Sequence, residues 1–509
     1  LPRSLGLRES EAAAEAAAEA APQAERGSGY VCDVVPEGVE RQRGSPESWP
    51  LCGPQLIVAG VQKGGTTSVY EYLKAHPDFV ALDGTYLLPR RERATVVKAL
   101  SLIAPRMTLP PRPGDDADRP DPRTDMERWL RLANVTREEV EAAQPSEELK
   151  QFSLRNFQEV ESHAIAVRLG KEVRFWINVV PKLLKNLGVS HERGLGFYLD
   201  LFPRVPASPE LLRARGLPLP GGLSEVPERI RRNLWKVTGE ASPHYLAQSH
   251  APHGIHHSLP SAKVLFLMRN PVERYWSQAL MIEKMSPPGD PSQPYAEDFE
   301  RNVLRCIGGD EPEGRVHPSA RLRFIPGGGG LARMRQLVWG LEGATDAAKW
   351  HELRRDLNQC FTHGLGQFLH LGIYVTDLAV WLRAGKYPRE QMLLLPSEDL
   401  YATPEKTMDR ISTFAGLRTM GPEFWSNATQ VLHNPHFDTT KLEFSHNVEV
   451  VSAKKEQKKQ KMGARVRELL RAFYAGPNCG LRSLIQEDWS DSGWVYCDGD
   501  AGGGGGGGG

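Results

Sequence analysis

Short apolar runs, each followed by a turn and then by a helical pattern, recur along this chain. The run Leu56–Gly60 is continuously apolar, and beyond a glycine-rich turn Val69, Tyr72 and Leu73 are spaced as on one face of a helix. Proline follows His76, which predicts that this helix ends there. Apolar runs that alternate with helices predict an α/β fold with a central parallel sheet flanked by helices.

A second apolar run, at residues 262–268, ends in Arg269. Asn270 is a good helix cap and Pro271 a good first helical residue, so a helix is predicted to start directly after this strand. Ser277 lies two turns into that helix. We expect its hydroxyl and the Arg269 guanidinium to converge on one anion.

Another strand and helix are predicted towards the C-terminus. The apolar run at residues 392–395 has the pattern of a buried strand. Thr403 and Pro404 predict the start of a helix, and Gly416 predicts its end. The order of strand, turn and helix therefore occurs three times.

The glycine-rich turn after the first strand has the features of a phosphate-binding loop. Its glycines let backbone N–H groups approach an anion, and the following helix directs its positive N-terminus at the same place. In nucleotide triphosphatases the lysine follows the last glycine and the next hydroxyl holds magnesium. Here Thr66 takes the lysine position and Lys63 lies inside the turn, so no metal is expected. The candidate phosphate ligands are Lys63, Gly64, Gly65, Thr66, Thr67 and Ser68.

Both motifs resemble those of sulfotransferases that use 3′-phosphoadenosine 5′-phosphosulfate (PAPS), in particular the branch that modifies carbohydrates such as heparan sulfate. The glycine turn resembles the family's 5′-phosphosulfate loop. Arg269 and Ser277 fit the family's Arg-x-Pro-x-x-Arg-x-x-Ser motif, which grips the 3′-phosphate, and a guanidinium suits that role because it binds phosphate in a bidentate fork. The resemblance implies a P-loop-like sulfotransferase fold with PAPS as donor co-substrate.

The same resemblance assigns catalytic roles. Lys63 would stabilise the negative charge that develops on the departing nucleotide. Lys171-Glu172-Val173-Arg174-Phe175-Trp176 is similar to the family's Lys-Glu-x-His-Phe-Phe segment, which opens a strand. In the glycan-modifying branch the glutamate of this pair is the general base, so Glu172 is our candidate. The alternative is that Glu172 only pairs with Lys171 or with an arginine.

The acceptor side of the site departs from the family pattern. Arg174 stands where relatives commonly have histidine, and Ala241 where many have lysine. We expect Lys171, Arg174 and Ser242 to contact the acceptor. Glu240 is a further acid or support residue. The chain has 15 histidines, and those near the motifs are rival bases, although a lone histidine is more often a surface or core residue: His163, His244, His256 and His257.

Composition limits the partners. Lys plus Arg and Asp plus Glu number 63 each, so no overall field attracts nucleic acid or an anionic membrane. The predicted partners are a nucleotide sulfate donor and a polysaccharide or other glycan. The basic run at residues 454–461 suits an anionic glycan, although such runs are usually solvated helix faces.

The chain of 509 residues divides into a tail or linker at 1–53, a sulfotransferase-like domain at 54–500 and a polyglycine tail at 501–509. The proline-rich stretch at about 83–162 is predicted to be an insertion outside the core. The resemblance covers most of residues 54–495 and is weak in this insertion and at 283–366.

Cysteines, sequons and targeting signals bear on the compartment. No CxxC spacing occurs, so no metal cluster is expected; Cys32 with Cys52 and Cys479 with Cys497 are candidate disulfides, with free thiols as the alternative. Sequons begin at Asn134 and Asn427. No apolar run reaches the ~18 residues that span a bilayer and no targeting segment is visible, so an anchor would lie upstream of residue 1. The resemblance implies the Golgi lumen or membrane.

Three other functions remain open. The first is a sulfotransferase of a small alcohol, phenol or lipid. The second is a catalytically silent homologue that keeps the nucleotide pocket. The third is a nucleotide kinase with a degenerate loop, for which the expected acidic magnesium ligand after a strand is missing.

Overall fold

The computed structural model describes residues 32–33, 51–82, 86–104, 126–160, 172–207, 212, 233–285, 296–307, 366–383, 387–433 and 462–494. The strands in these ranges are β1 (Leu51–Cys52), β2 (Leu56–Gly60), β3 (Phe79–Val80), β4 (Val205–Pro206), β5 (Val237–Ala241), β6 (Lys263–Met268) and β7 (Met392–Pro396). The helices are α1 (Thr66–Ala75), α2 (Arg90–Ile103), α3 (Met126–Ala133), α4 (Arg137–Ala142), α5 (Glu147–Arg155), α6 (Phe157–Val160), α7 (Val179–Asn186), α8 (His191–Leu199), α9 (Ala251–Ser258), α10 (Pro271–Met285), α11 (Ala296–Cys306), α12 (Gly366–His370), α13 (Tyr374–Arg383), α14 (Ser397–Ala402), α15 (Pro404–Ala415), α16 (Pro422–His433) and α17 (Ala464–Ile485).

In the described part of the chain, five strands form a parallel sheet in the order β3, β5, β2, β6, β7. Leu56 of β2 pairs with Gly239 on one side and with Lys263 on the other. Because all five strands run the same way, their last residues lie along one edge, which we call the carboxyl edge. The predicted α/β fold with a central parallel sheet is confirmed.

Helices cover both faces of this sheet. Ile57 and Ala59 belong to one apolar cluster, with residues of α10, α13 and α17, whereas Leu56 and Val58 belong to a second cluster, with residues of α1, α15 and α16. Successive strand side chains point to opposite faces, so a strand covered on both faces has to be apolar at every position. This explains the continuous apolar runs of the sequence.

Local signals placed several helix ends correctly. Helix α1 ends at Ala75, and the N–H of His76 closes its last turn by donating to Leu73 O. Helix α15 begins at Pro404 and ends before Gly416, whose φ of 78° is the left-handed conformation that glycine adopts at low cost. These predictions from His-Pro, Thr-Pro and glycine are confirmed.

The prediction that residues 83–162 lie outside the core is wrong for the described parts of this stretch, 86–104 and 126–160. Helices α2 to α6 occupy much of this stretch, and Val96, Leu100 and Trp129 are buried in the same cluster as Ile57 of β2. The many prolines suggested an irregular insertion, but they are concentrated in 105–125, outside the described residues. The flanking segments carry apolar helix faces that need a buried partner.

Ordered structure also begins before residue 54. Strand β1 pairs antiparallel with β4, and the predicted disulfide between Cys32 and Cys52 is formed. Cys306 and Cys479 each take part in a disulfide bond as well. Cys497 lies outside the described residues, so its pairing with Cys479 stays a prediction. Among the described helices, none has the length and apolar character needed to cross a membrane.

Candidate active site

The turn between β2 and α1, which we call the glycine loop (residues 61–65), is fastened to the end of β6. The N–H of Val61 donates to Leu267 O at 2.9 Å, and the N–H of Gly64 donates to Val61 O at 2.9 Å. A Cβ on Gly64 would lie 2.3 Å from Leu267 O, so only glycine fits there. Lys63 and Gly65 have φ of 71° and 91°, which makes the loop a tight turn in front of α1. Such a turn directs backbone N–H groups and a helix N-terminus at one place.

Arg269 and Lys63 are brought together at the carboxyl edge. Nη1 of Arg269 donates to Lys63 O at 3.3 Å. Nζ of Lys63 lies 3.5 Å from Sδ of Met281 on α10. Ser277 lies one turn before Met281 on the same face of α10. Two motifs about 200 residues apart thus bring two cationic residues, Lys63 and Arg269, to the same corner of the sheet.

A support for Arg269 was not predicted from the sequence. Tyr374 donates its hydroxyl to Arg269 O at 2.7 Å. Glu398, at the start of α14, accepts the N–H of Asn270 at 2.9 Å and Nε1 of Trp494 at 3.1 Å, and burial raises the pKa of its carboxyl. The predicted cap of α10 is confirmed, because Oδ1 of Asn270 accepts the N–H two residues later at 3.1 Å.

Helix α14 also holds the glycine loop. The Ser397 hydroxyl donates to Gly64 O at 2.6 Å, and Tyr401 lies against Gly65. The sequence carried a signal for this role, since these residues directly follow β7 just as the glycine loop follows β2. Ligand sites of open parallel sheets lie at the carboxyl ends of their strands.

Glu172 forms an ion pair with Arg174. Nε and Nη2 of Arg174 donate to Oε2 of Glu172 at 2.9 and 2.6 Å, and Nδ1 of His244 lies 3.9 Å from the same oxygen. The two residues lie in an irregular segment, not at the start of a strand as the resemblance implied. The pairing with an arginine that we considered as an alternative therefore exists. It leaves the role of Glu172 as base a proposal.

Glu240, near the end of β5, ties this segment to the sheet. Its carboxylate is fully buried and accepts hydrogen bonds from the hydroxyls of Tyr198, Tyr245 and Ser242 at 2.8, 3.0 and 2.5 Å. It also accepts the N–H of Val173 at 3.1 Å. Burial raises the pKa of Glu240 to about 7, although these donors act in the opposite direction. The support role that we considered for Glu240 agrees with these contacts.

Strand order places the two halves of the site side by side. β5 and β2 are neighbours, so the turn after β5, with Ser242 and His244, leaves the carboxyl edge next to the glycine loop. The Ser242 hydroxyl accepts the N–H of Arg174 at 2.9 Å. Thr66 is buried at the start of α1, and Lys171 lies outside the described residues. The described residues contain no cluster of three or more His, Cys, Asp or Glu that could hold a metal.

Comparison with known proteins identifies the family. The model of the sulfotransferase domain matches residues 53–468, which is most of the chain. The chain belongs to the sulfotransferase family. The membrane-associated sulfotransferase kil1 of Dictyostelium discoideum is 24% identical over 225 residues, which cover 39% of this chain and 47% of that relative. The match thus spans about half the length of the relative.

Solved sulfotransferase structures resemble this sulfotransferase only distantly. The enzyme from Alicyclobacillus acidocaldarius is 16% identical, with a TM-score of 0.35, over 86% of this chain and 98% of its own. Sulfotransferase STF9 from Mycobacterium avium is 13% identical, with a TM-score of 0.26, over 75% of this chain and 69% of its own. Membership of the family therefore rests on the sequence match.

Proposed function

We propose that this sulfotransferase transfers a sulfuryl group from PAPS to a hydroxyl or amine of a carbohydrate. The observation that carries the proposal is the 3.3 Å hydrogen bond from Arg269 to the backbone of Lys63. It puts a guanidinium beside a glycine loop that holds an ammonium group. A nucleotide with anionic groups at both its 5′ and 3′ ends suits such a pair of neighbouring cationic corners.

The donor roles follow from charge and position. The glycine loop, with Thr66, Thr67 and Ser68 in the first turn of α1, binds the 5′-phosphosulfate, and Arg269 with Ser277 binds the 3′-phosphate. As the bond between sulfur and the phosphate oxygen breaks, negative charge collects on the departing nucleotide. The Lys63 ammonium stabilises that charge, which is the main source of rate enhancement in transfers with a loose transition state.

The acceptor loses a proton as its oxygen or nitrogen bonds to sulfur. Glu172 takes this proton, since its carboxylate is tied to the turn that leaves the carboxyl edge beside the glycine loop. Lys171 and Arg174 contact the acceptor, while the buried Ser242, hydrogen-bonded to Glu240 and to the backbone of Arg174, holds this segment in place. The products are a sulfated glycan and adenosine 3′,5′-bisphosphate. By resemblance, the enzyme works in the Golgi lumen or at its membrane, where such glycans are made.

A transfer assay with ³⁵S-labelled PAPS tests this function. The acceptors are a panel of polysaccharides together with a phenol, a simple alcohol and a lipid alcohol. Lys63→Ala is expected to lower kcat by about a hundredfold or more, by analogy with the removal of other transition-state donors. Lys74→Ala is the control, because Lys74 is exposed and pairs with Glu71.

Glu172→Gln tests the base, and Glu92→Gln is its matched control. Glu92 pairs with Arg193 at 2.8 Å, close to the 2.6 Å of the Glu172 pair, and the two carboxylates are 9% and 14% exposed. We expect kcat to fall by about a hundredfold or more in Glu172→Gln and to change little in the control. Unchanged transfer by Glu172→Gln would exclude this residue as base.

The same panel distinguishes the other functions. Sulfation of only the small acceptors would exclude a glycan acceptor. Binding of adenosine 3′,5′-bisphosphate, measured by calorimetry, without transfer to any acceptor would indicate a silent homologue.

A further inference from the structure

The ion pair between Glu172 and Arg174 occupies one oxygen of the proposed general base. Both Nε and Nη2 of the guanidinium donate to Oε2 of Glu172. The carboxylate is 14% exposed and the guanidinium side chain 25%. A carboxylate that accepts two charged hydrogen bonds at one oxygen is a weak acceptor for a further proton. The pair therefore has to open before Glu172 acts as base.

The backbone around Arg174 is firmly held, so opening involves the side chain. The N–H of Arg174 donates to Ser242, and the N–H of Val173 donates to the buried Glu240. Arg174 has a φ of 56°, a left-handed conformation that a side chain other than glycine adopts only under constraint from its surroundings. The long arginine side chain is partly exposed, and its side-chain torsions can change while the backbone stays fixed. Its guanidinium can therefore leave Glu172 without a change in the backbone.

When Arg174 leaves Glu172, its guanidinium needs another anion, and acceptors differ in whether they supply one. A carboxylate or a sulfate ester on the acceptor offers the same bidentate geometry as Glu172. Exchange of one anion for another keeps the guanidinium paired and releases Oε2 of Glu172 from its two hydrogen bonds to Arg174. A neutral acceptor offers no replacement, and separating a partly buried ion pair without compensation is costly.

We infer that Arg174 selects glycan acceptors that carry a carboxylate or sulfate beside the accepting group, by leaving Glu172 to bind that anion. The inference rests on the proposed function and narrows it to acidic glycans. Arg174 is then a specificity-determining residue, and binding of the correct acceptor uncovers the base. Because the backbone stays anchored to Ser242 and Glu240, the exchange requires no rearrangement of the sheet edge.

The test compares acidic polymers with their neutral counterparts. Chondroitin and heparosan are assayed beside their carboxyl-reduced forms, and a sulfated agarose beside its desulfated form, with the full chain and ³⁵S-labelled PAPS. We expect the wild type to favour the acidic member of a pair by about tenfold or more in kcat/KM. Comparison of the carboxylated polymers with the sulfated agarose shows which anion is preferred.

Arg174→Asn removes the charge with a residue that tolerates the left-handed conformation. The variant has no ion pair to open, so its rate on neutral polymers is expected to rise towards its rate on acidic ones, and the preference of about tenfold disappears. Arg174→Lys keeps the charge without the planar fork and should retain a smaller preference. Arg389→Asn is the control, because Arg389 pairs with Glu487 at 2.7 Å and precedes β7, at the opposite edge of the sheet.

The outcomes separate the two proposals. Transfer to no glycan at all would overturn the proposed function. Transfer at equal rates to acidic and neutral polymers would overturn only the inference about Arg174. So would an Arg174→Asn variant that keeps the wild-type preference, or a lysine variant as selective as the wild type, provided that thermal unfolding shows the variant to be folded.

Discussion

Replacement of Glu240 by glutamine probes the group that joins the acceptor side of the site to the sheet. Glutamine keeps the shape of the side chain and removes its titration. In either orientation its amide NH₂ replaces an oxygen that now accepts two hydrogen bonds, so at least one of the buried donors around it loses its acceptor. One buried donor left without an acceptor costs about 1–3 kcal/mol of unfolding free energy. The variant is therefore expected to be less stable than the wild type at low pH.

The pH dependence of the unfolding free energy can be calculated more closely than the cost of the lost hydrogen bond. The pKa of this carboxyl is raised from 4.5 to about 7. The folded state thus binds the proton more tightly than the unfolded state, and its stability falls as pH rises between these two values. At about 1.4 kcal/mol per unit of pKa, the loss amounts to about 3 kcal/mol. The glutamine variant does not lose stability in this way. The difference in unfolding free energy by which the wild type exceeds the variant should therefore shrink by about 3 kcal/mol from low to high pH.

Urea unfolding followed by tryptophan fluorescence measures this effect, with disulfides kept intact, at several pH values from 4.5 to 8. The difference between wild type and Glu240→Gln cancels the titration of other groups. Glu390→Gln is the control, since Glu390 is exposed. If the curves for wild type and Glu240→Gln are parallel across this range, the carboxylate does not titrate as its burial implies and the reasoning is refuted.

Three further predictions concern donor binding and stability. Gly64→Ala should weaken binding of adenosine 3′,5′-bisphosphate by more than about tenfold in calorimetry, because its Cβ would lie 2.3 Å from a backbone oxygen of β6. The control Gly421→Ala has open space around it and should bind normally. Equal binding by the two variants would contradict the packing of the loop. Arg269→Ala should raise the same dissociation constant by about 10–100-fold, and an unchanged constant would remove this residue from the nucleotide site. Cys32→Ser should lower the unfolding free energy by about 3 kcal/mol, given the separation of 20 residues from Cys52, and urea unfolding without such a loss would show that this disulfide adds little.

The glycine loop and the corner at the end of β6 could be predicted from the sequence because their signals are local. The glycine loop with Lys63, and the corner formed by Arg269 and Asn270, each lie within a single strand, turn and helix. The turn chemistry of glycine, the fixed φ of proline and the fork of arginine act over a few residues. Their order along the chain also predicted parallel strands whose ends share one edge.

The proposed acceptor side of the site was harder to predict from the sequence, because its contacts join residues that are far apart along the chain. Glu240 accepts a hydrogen bond from Val173, 67 residues earlier, and Ser397 donates to Gly64, 333 residues earlier. No periodicity or spacing encodes such pairs. Composition was misleading for the helices between 90 and 160, since prolines nearby obscured their buried faces.

The sequence by itself determined three of the five strands of the sheet, β2, β6 and β7, and the positions of the glycine loop and of its cations, which it predicts to bind phosphate. These depend on backbone geometry and side-chain charge within short segments. Only the tertiary structure decided that Arg174 covers Glu172, that Glu240 is buried among four donors, and that α14 holds the loop. Burial and hydrogen bonding across the fold set the charge and position of these groups, and both are properties of the packed chain.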